Sequence, residues 1–375
     1  MSKIDTFTST GHKFFAHQEA MWKLGHGKGQ PVVSHVMLTD VCNHSCSFCS
    51  VQARAGDSLL FDTVVKYLDI LQPLGLKAVI LSGGGNPILY KCHLSGKNIN
   101  DVVDAIHERG LEIGMITNGM PLRLFGSRES WGTVKPETLD KLTWLRISMS
   151  GLDHKEEEVF VPDIDPAKTT LGFSYVAHDI YEEPSDPYHG KVSRPNDLIS
   201  GDRNRAPDRP FELRIPLLTQ QIRHYVDTYS PRYVRLLPNC LEPDLIPRRC
   251  KDLEKMAGEI NPDVVFVQHK PPKAPKACYL GYIHPVLNCD GYVYPCDSCV
   301  LNESAYHSFA NAWRVCHWSK IGDIYAQPVR SLISDPARFC PGCVFTNSNE
   351  ILGGVVDGTA DITPPATIPL HVNFV

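Results

Sequence analysis

Short apolar runs alternate with amphipathic stretches through the first two thirds of the chain, and few folds accommodate that rhythm. Residues 32–38, 77–81, 111–116, 145–149, 170–176 and 233–237 are brief and apolar, as strands covered on both faces are. Between them, Phe61–Leu71 sets Val64, Val65, Leu68 and Leu71 at helical spacing, and 99–106, 136–142 and 217–226 read as further helices. Strand–helix–strand repetition argues for a parallel sheet, because parallel neighbours need a crossover between them. Six such units fall short of the eight that close a full barrel, so the pattern predicts an α/β fold with a curved, partial (β/α)6 TIM-like barrel. Ligands of such folds sit beyond the C-terminal ends of the strands, so functional residues belong just after each run.

Composition narrows the class. The chain has 375 residues with a formal net charge of −5, is 42% hydrophobic and 21% charged, and can bury a sizeable core. No apolar run approaches the ~18 residues of a membrane span, and the first residues lack the basic-then-apolar pattern of a secretory signal. The expected location is cytoplasmic, where disulfides are rare and the 13 cysteines read as metal or cofactor ligands. Residues 1–30 form a helical extension, with a short helix expected over 13–24. The stretch from Tyr181 to Pro210, rich in Pro, Asp and Arg and carrying Arg203, Arg205 and Arg209, reads as either a substrate cover or a solvated insertion. From about Cys240 the α/β rhythm stops and cysteines become dense, which places a boundary there: 31–240 for the barrel and 241–375 for a small Cys-rich α+β domain.

The sharpest motif is Cys42-Asn43-His44-Ser45-Cys46-Ser47-Phe48-Cys49, directly after the first strand. Three thiolates on one short loop can hold one corner of a [4Fe–4S] cube and leave the fourth iron free for an exogenous ligand, whereas structural zinc wants a fourth ligand. The segment resembles the cluster loop of the radical S-adenosylmethionine (SAM) superfamily, including Phe48 before the last cysteine. Leu81-Ser82-Gly83-Gly84-Gly85-Asn86-Pro87 follows the second strand, where that superfamily carries a Gly-Gly-Glu-Pro-like motif for the methionine amine of SAM. The resemblance therefore assigns Phe48, Gly83, Gly84, Gly85 and Asn86 to the SAM site, with Asn86 standing where an acid is usual. Glycines suit a loop whose carbonyls must approach a ligand closely. By the same resemblance Asn118, in Thr117-Asn118-Gly119, and Ser148, in Arg146-Ile147-Ser148-Met149-Ser150, would meet the ribose or carboxylate of SAM; as residues alone they are equally an ordinary turn Asn and strand-end Ser.

The C-terminal third holds Cys278, Cys289, Cys296, Cys299, Cys316, Cys340 and Cys343. Asp290-Gly291 between apolar runs reads as a hairpin turn that would hold Cys278 and Cys296 near one another. Gly291-Tyr292-Val293-Tyr294-Pro295-Cys296 and the later Cys340-Pro341-Gly342-Cys343 resemble the SPASM/twitch auxiliary-cluster domains. The residues after Cys343 lack the further cysteines of the longer form, so the resemblance implies a twitch-like domain with one auxiliary [4Fe–4S] cluster on Cys278, Cys296, Cys340 and Cys343. Cys289 or Cys299 can replace one of these, and on spacing alone four cysteines suit zinc as well. Cys92, Cys240, Cys250 and Cys316 read as ordinary thiols, the run 248–252 as a solvated helix face, and 270–276 as an extended cationic tether.

The resemblance implies an enzyme that reductively cleaves SAM to a 5′-deoxyadenosyl radical and removes a hydrogen atom from substrate, drawing on an external flavodoxin- or ferredoxin-like one-electron reductant. An auxiliary cluster with no open site implies electron transfer, hence oxidation (dehydrogenation) of a small or nucleotide-like substrate; the short N-terminal extension argues against a peptide leader-binding domain. The alternatives are a redox-neutral isomerase or epimerase, including one acting on a modified nucleotide in DNA or RNA with salt-sensitive binding, a peptide-modifying maturase, and a non-catalytic cluster- or zinc-binding module. The Gly83–Pro87 loop speaks against the last, which has no need of a SAM pocket.

Overall fold

The structure is a computed structural model that describes residues 6–8, 11–44, 46, 48–49, 51, 55–119, 134–153, 159–180, 207–269, 273–298 and 313–375. All six apolar runs become strands of one mixed sheet. β1 (Val33–Val36), β2 (Ala78–Leu81), β3 (Glu112–Thr117), β4 (Trp144–Ser148), β5 (Thr170–Ala177) and β6 (Tyr233–Pro238) lie side by side in sequence order and in parallel. Helices α1 (Gln18–Gly25), α2 (Phe61–Leu71), α3 (Ile99–His107), α4 (Pro136–Leu139) and α5 (Phe211–Tyr229) accompany them. The helix expected over 13–24 is broken at His17 into a 3-10 turn, Gly11–Ala16, and α1. The break carries Lys13 into the interior, where its ammonium donates to the carbonyls of His371 and Phe374, each at 3.1 Å.

The alternation continues past residue 240. Helix α6 (Ile246–Ile260) leads into a seventh parallel strand, β7 (Val265–Val267), paired with β6. The apolar stripe of α6, made by Ile246, Cys250, Leu253, Met256 and Ala257, is hidden in the sequence by the basic residues between them. Those basic residues are not all solvated. Arg249 is 1% exposed; it pairs with Asp179 at 2.8 Å and Glu212 at 2.9 Å and lies over the Phe211 ring. The expectation of a solvated face for 248–252 therefore holds for Arg248 and fails for Arg249.

The chain then crosses to the other edge. β8 (Val286–Leu287) pairs in parallel with β1, and β9 (Tyr292–Tyr294) and β10 (Cys316–His317) add antiparallel beyond it, which gives ten strands in one sheet. The hairpin expected at Asp290-Gly291 joins β8 to β9, with Gly291 at φ +80° and the Asp290 carboxylate accepting from the Tyr292 amide. Helices α7 (Ile321–Ala326), α8 (Pro336–Phe339) and α9 (Thr346–Val356) complete the C-terminal part.

Register divides the sheet into two faces. Val36, Leu81, Met115 and Leu145 are aligned neighbours, all but inaccessible and packed in the main core. The other face carries His35, Ile80, Ile116, Arg146, Tyr233 and Arg235, with Gly114 and Gly172 leaving room for the rings of Trp144 and Tyr233. Residues near both ends of the chain cover this face: Phe7 stacks on Tyr233 at 4.5 Å and Phe374 meets Trp144 edge-on at 5.2 Å. No helix among the described residues is long and apolar enough to cross a membrane.

Candidate active site

The three cysteines of the first motif lie on the loop that leaves β1, all partly exposed. Burial, and then the neighbouring thiols of Cys49 and Cys42, hold the Cys46 thiol well above its usual range. Three thiols on one short loop, free of disulfides, are a candidate donor set for a metal or cluster. Beside them, His44 is buried and its Nδ1 lies 3.2 Å from Ser150 Oγ.

The glycine loop fits against this segment backbone to backbone. The Gly85 amide donates to the Thr39 carbonyl at 2.7 Å, and the Asn86 amide to that of Val41 at 2.9 Å. A Cβ on Gly85 would fall 1.9 Å from the Val41 carbonyl oxygen, and one on Gly84, itself at φ +68°, 2.7 Å from that of Thr39. The sequence explained these glycines by close approach to a ligand; the structure adds that they dock the loop onto the cysteine segment. Asn86, buried, then ties the strand ends together. Its amide donates to Asn118 Oδ1 at 2.8 Å and Asn43 Oδ1 at 3.2 Å, while its oxygen accepts from Thr117 Oγ1 at 2.8 Å. The Asn118 amide donates to Asn43 Oδ1 at 3.0 Å, with Cys42 Sγ 3.9 Å away. Asn86 and Asn118 are thus brought together, and Ser148 ends the next strand in register with Ser174.

Phe48 reaches the end of β5, its ring centroid 4.7 Å from that of His178. Behind His178 lies a buried network that sequence reasoning missed. Asp153 accepts from Tyr175 Oη at 2.8 Å and from Arg214, and sits 3.5 Å from His178 Nε2. Burial lowers the pKa of His178 against the pull of Asp153. Asp153 follows β4, Tyr175 and His178 lie at the end of β5, where the fold rule points, and Arg214 comes from α5; single polar residues scattered in the sequence carry no motif.

A second group of thiols forms beyond the hairpin. Cys296 follows β9, and the Cys278 amide donates to Ser331 Oγ at 3.0 Å. Asn349 on α9 accepts from the amides of Tyr279 and Leu280, which fixes the turn after Cys278. Burial and the thiols of Cys296, Cys340 and Cys343 together push Cys278 well above its usual range; burial, with Cys296 next, pushes Cys343 up to about 12. The four cysteines therefore share one region. Trp313 Nε1–H donates to Cys340 Sγ at 3.3 Å and the Phe345 amide to Cys343 Sγ at 3.4 Å, the kind of donor that steadies thiolate charge. Cys289 is not of this group: burial and then the carboxylates of Asp40, Asp290 and Asp57 raise it to about 12. Cys299 lies outside the described residues, as do Arg203, Arg205 and most of the 181–210 stretch. Cys92 and Cys250 are core residues. Among the described residues, no three His, Cys, Asp or Glu side chains are grouped so as to hold a single metal ion.

With this geometry in place, residues 36–154 match the Radical SAM superfamily. Over that segment the chain is similar to the radical SAM superfamily. A segment of 114 residues, 27% of the chain, is 25% identical to an S-adenosylmethionine-dependent nucleotide dehydratase of Selenomonas ruminantium and spans 39% of that relative's length. Among solved structures, Streptococcus suis SuiB bound to precursor peptide SuiA is similar at 12% identity, with 79% of this chain and 65% of that one covered and a TM-score of 0.47. Native anSMEcpe with bound AdoMet and Cp18Cys peptide is similar at 11% identity, with 82% of each chain covered and a TM-score of 0.45. The matched segment begins at the last residue of β1 and ends just past Asp153, so it takes in the cysteine loop, the glycine loop, Asn118 and Ser148.

Proposed function

We propose that the chain is a radical SAM oxidoreductase that dehydrogenates a small or nucleotide-like substrate. Cys42, Cys46 and Cys49 would hold a [4Fe–4S] cluster; Gly83, Gly84, Gly85, Asn86, Asn118, Ser148 and Phe48 would line the SAM site; Cys278, Cys296, Cys340 and Cys343 would hold an auxiliary cluster. When bound, these groups supply one-electron cleavage of SAM to methionine and a hydrogen-abstracting 5′-deoxyadenosyl radical, and an acceptor for the electron that completes a two-electron oxidation. The observation that carries the reading is the set of four thiols gathered beyond β9, with Asp297, the residue after Cys296, at 3.9 Å from His35 on β1. A fully thiolate-ligated centre has no open site, which suits electron transfer.

The chain's own residues position and seal. The Asn43–Asn86–Asn118 triad locks the glycine loop and the end of β3 to the cysteine segment, so the groups meant for SAM are pre-arranged. Phe7, Phe374 and Trp144 close the opposite end of the inner face against water. The similarity to a nucleotide dehydratase supports a nucleotide-like substrate, and the two thiol sites favour oxidation over dehydration. The inner strands would curve into a partial barrel, the site is cytoplasmic, and a flavodoxin- or ferredoxin-like protein supplies the electron.

The test is anaerobic reconstitution with iron and sulfide, reduction with dithionite, and chromatography for 5′-deoxyadenosine. Wild type should form it from SAM and the Cys42→Ala/Cys46→Ala/Cys49→Ala variant should not. Absence from an iron-loaded wild type would end the radical SAM enzyme reading.

A further inference from the structure

Two arginines stand on the inner face of the sheet, and among the described residues neither makes a salt bridge. Arg146 on β4 and Arg235 on β6 line a cavity of about 130 Å³ with His35, His284, Asp297 and Phe345. Both are partly open to it. Arg235 donates from Nη1 to Gln268 Oε1 at 2.8 Å, and Arg146 rests over the Trp144 ring at 5.5 Å. The Nε of each is buried without a hydrogen-bond partner. The one carboxylate in the lining, Asp297, lies 3.9 Å from His35 Nδ1 and acts on Arg235 less than Arg146 does. Burial and then the charge of Arg146 press the pKa of Arg235 down to about 9, so each cation feels the other.

Stability does not account for this arrangement. Two like charges lining one cavity oppose folding, and apolar side chains of similar volume would serve a core better. A planar guanidinium fork with spare N–H groups matches an oxyanion, and two forks on β4 and β6, on the same face with β5 between them, can converge on one anion in the cavity. The place is equally telling. His35 Nε2 lies 2.7 Å from the carbonyl of Ser82, which opens the glycine loop, and Arg146 precedes Ser148 by two residues. Across the cavity, Asp297 follows Cys296, and the Phe345 amide donates to Cys343. Through His35 the cavity wall thus touches the glycine loop, and through Phe345 it touches Cys343 of the second thiol group.

We infer that Arg146 and Arg235 together bind an oxyanion of the substrate, a phosphate or a carboxylate, in this cavity. As a substrate site this rests on the radical SAM reading above; as an anion site it does not.

The test is isothermal titration calorimetry on the full chain, anaerobic, at fixed ionic strength, with inorganic phosphate and with acetate as separate probes. Wild type should bind at least one of them, and the one it prefers names the group. Arg146→Gln and Arg235→Gln should each weaken binding at least tenfold, the double variant should abolish it, and Arg235→Lys, which keeps charge but loses the fork, should fall between. Melting temperatures of all variants check that they fold. No binding of either probe by wild type, or equal binding by the folded double variant, would overturn the inference. The 5′-deoxyadenosine assay separates the two claims. A wild type that binds anions through the arginines but leaves SAM intact keeps the site and loses the enzyme reading; one that cleaves SAM without arginine-dependent binding loses this inference alone.

Discussion

Gly85 has no space for a side chain, because the nearest atom to a would-be Cβ is a backbone oxygen of the cysteine segment. Gly85→Ala must push the two loops apart. Overpacking of this sort costs about 1–3 kcal/mol, and here it also displaces the segment that precedes Cys42. We expect lower stability to urea together with less iron retained after reconstitution; a variant with wild-type values of both would show that the loops are not mechanically linked. Asn86 makes a second residue-scale prediction. Both of its amide hydrogens are donated to oxygens of Asn43 and Asn118, so a carboxylate there would face two acceptors. Restoring the family's usual acid type with Asn86→Asp should cost about 1–3 kcal/mol of stability and should not tighten SAM binding, measurable by denaturation and by calorimetry with SAM. The sequence marked Asn86 as a departure; that Asn43 and Asn118 complete the exchange was not readable, because the three lie on separate loops.

At the scale of elements, α5 and α6 are joined by buried charge. Arg249 is held between Asp179 and Glu212. Among the described residues, replacing it with Met leaves Asp179 with only the Phe211 amide and Glu212 with only Arg248, so Arg249→Met should cost about 3 kcal/mol in urea denaturation. A loss below 1 kcal/mol would mean that these carboxylates find water instead. Glu242 lies beside the same group: burial and then Asp179 raise its pKa from 4.5 to about 7, against Arg249. A folded-state pKa above the unfolded one makes the contribution complete below about pH 4.5 and lost as pH rises through about 7. Wild type should therefore lose up to about 3 kcal/mol from this group between those values, and Glu242→Gln should flatten that part of the stability–pH curve. An unchanged slope would contradict the buried-acid account. The six inner strands were legible because each is an apolar run with no competing pattern. β7 was not, since Arg248, Arg249 and Lys251 dilute the stripe of α6 and three residues make a weak strand signal. Arg146 and Arg235 did leave a trace, as lone cations inside the apolar runs of β4 and β6, but only register shows that they share a face.

Over the whole molecule, one sheet carries both cysteine sites. The turn back to β8 at the β1 edge, which periodicity does not specify, brings Cys296 and Asp297 next to the strand that feeds Cys42, Cys46 and Cys49. From that adjacency we propose two clusters, held by separate thiol sets, on one sheet. The direct measurement is an iron and acid-labile sulfide count, with electron paramagnetic resonance of the reduced protein. It would compare wild type, the Cys42/Cys46/Cys49 triple alanine variant and the Cys278/Cys296/Cys340/Cys343 quadruple alanine variant. About eight irons in wild type and about four in each variant, with a distinct reduced spectrum in each, is the expected result. About four irons in wild type, all lost in the triple variant, or zinc in place of the second set, would contradict the account.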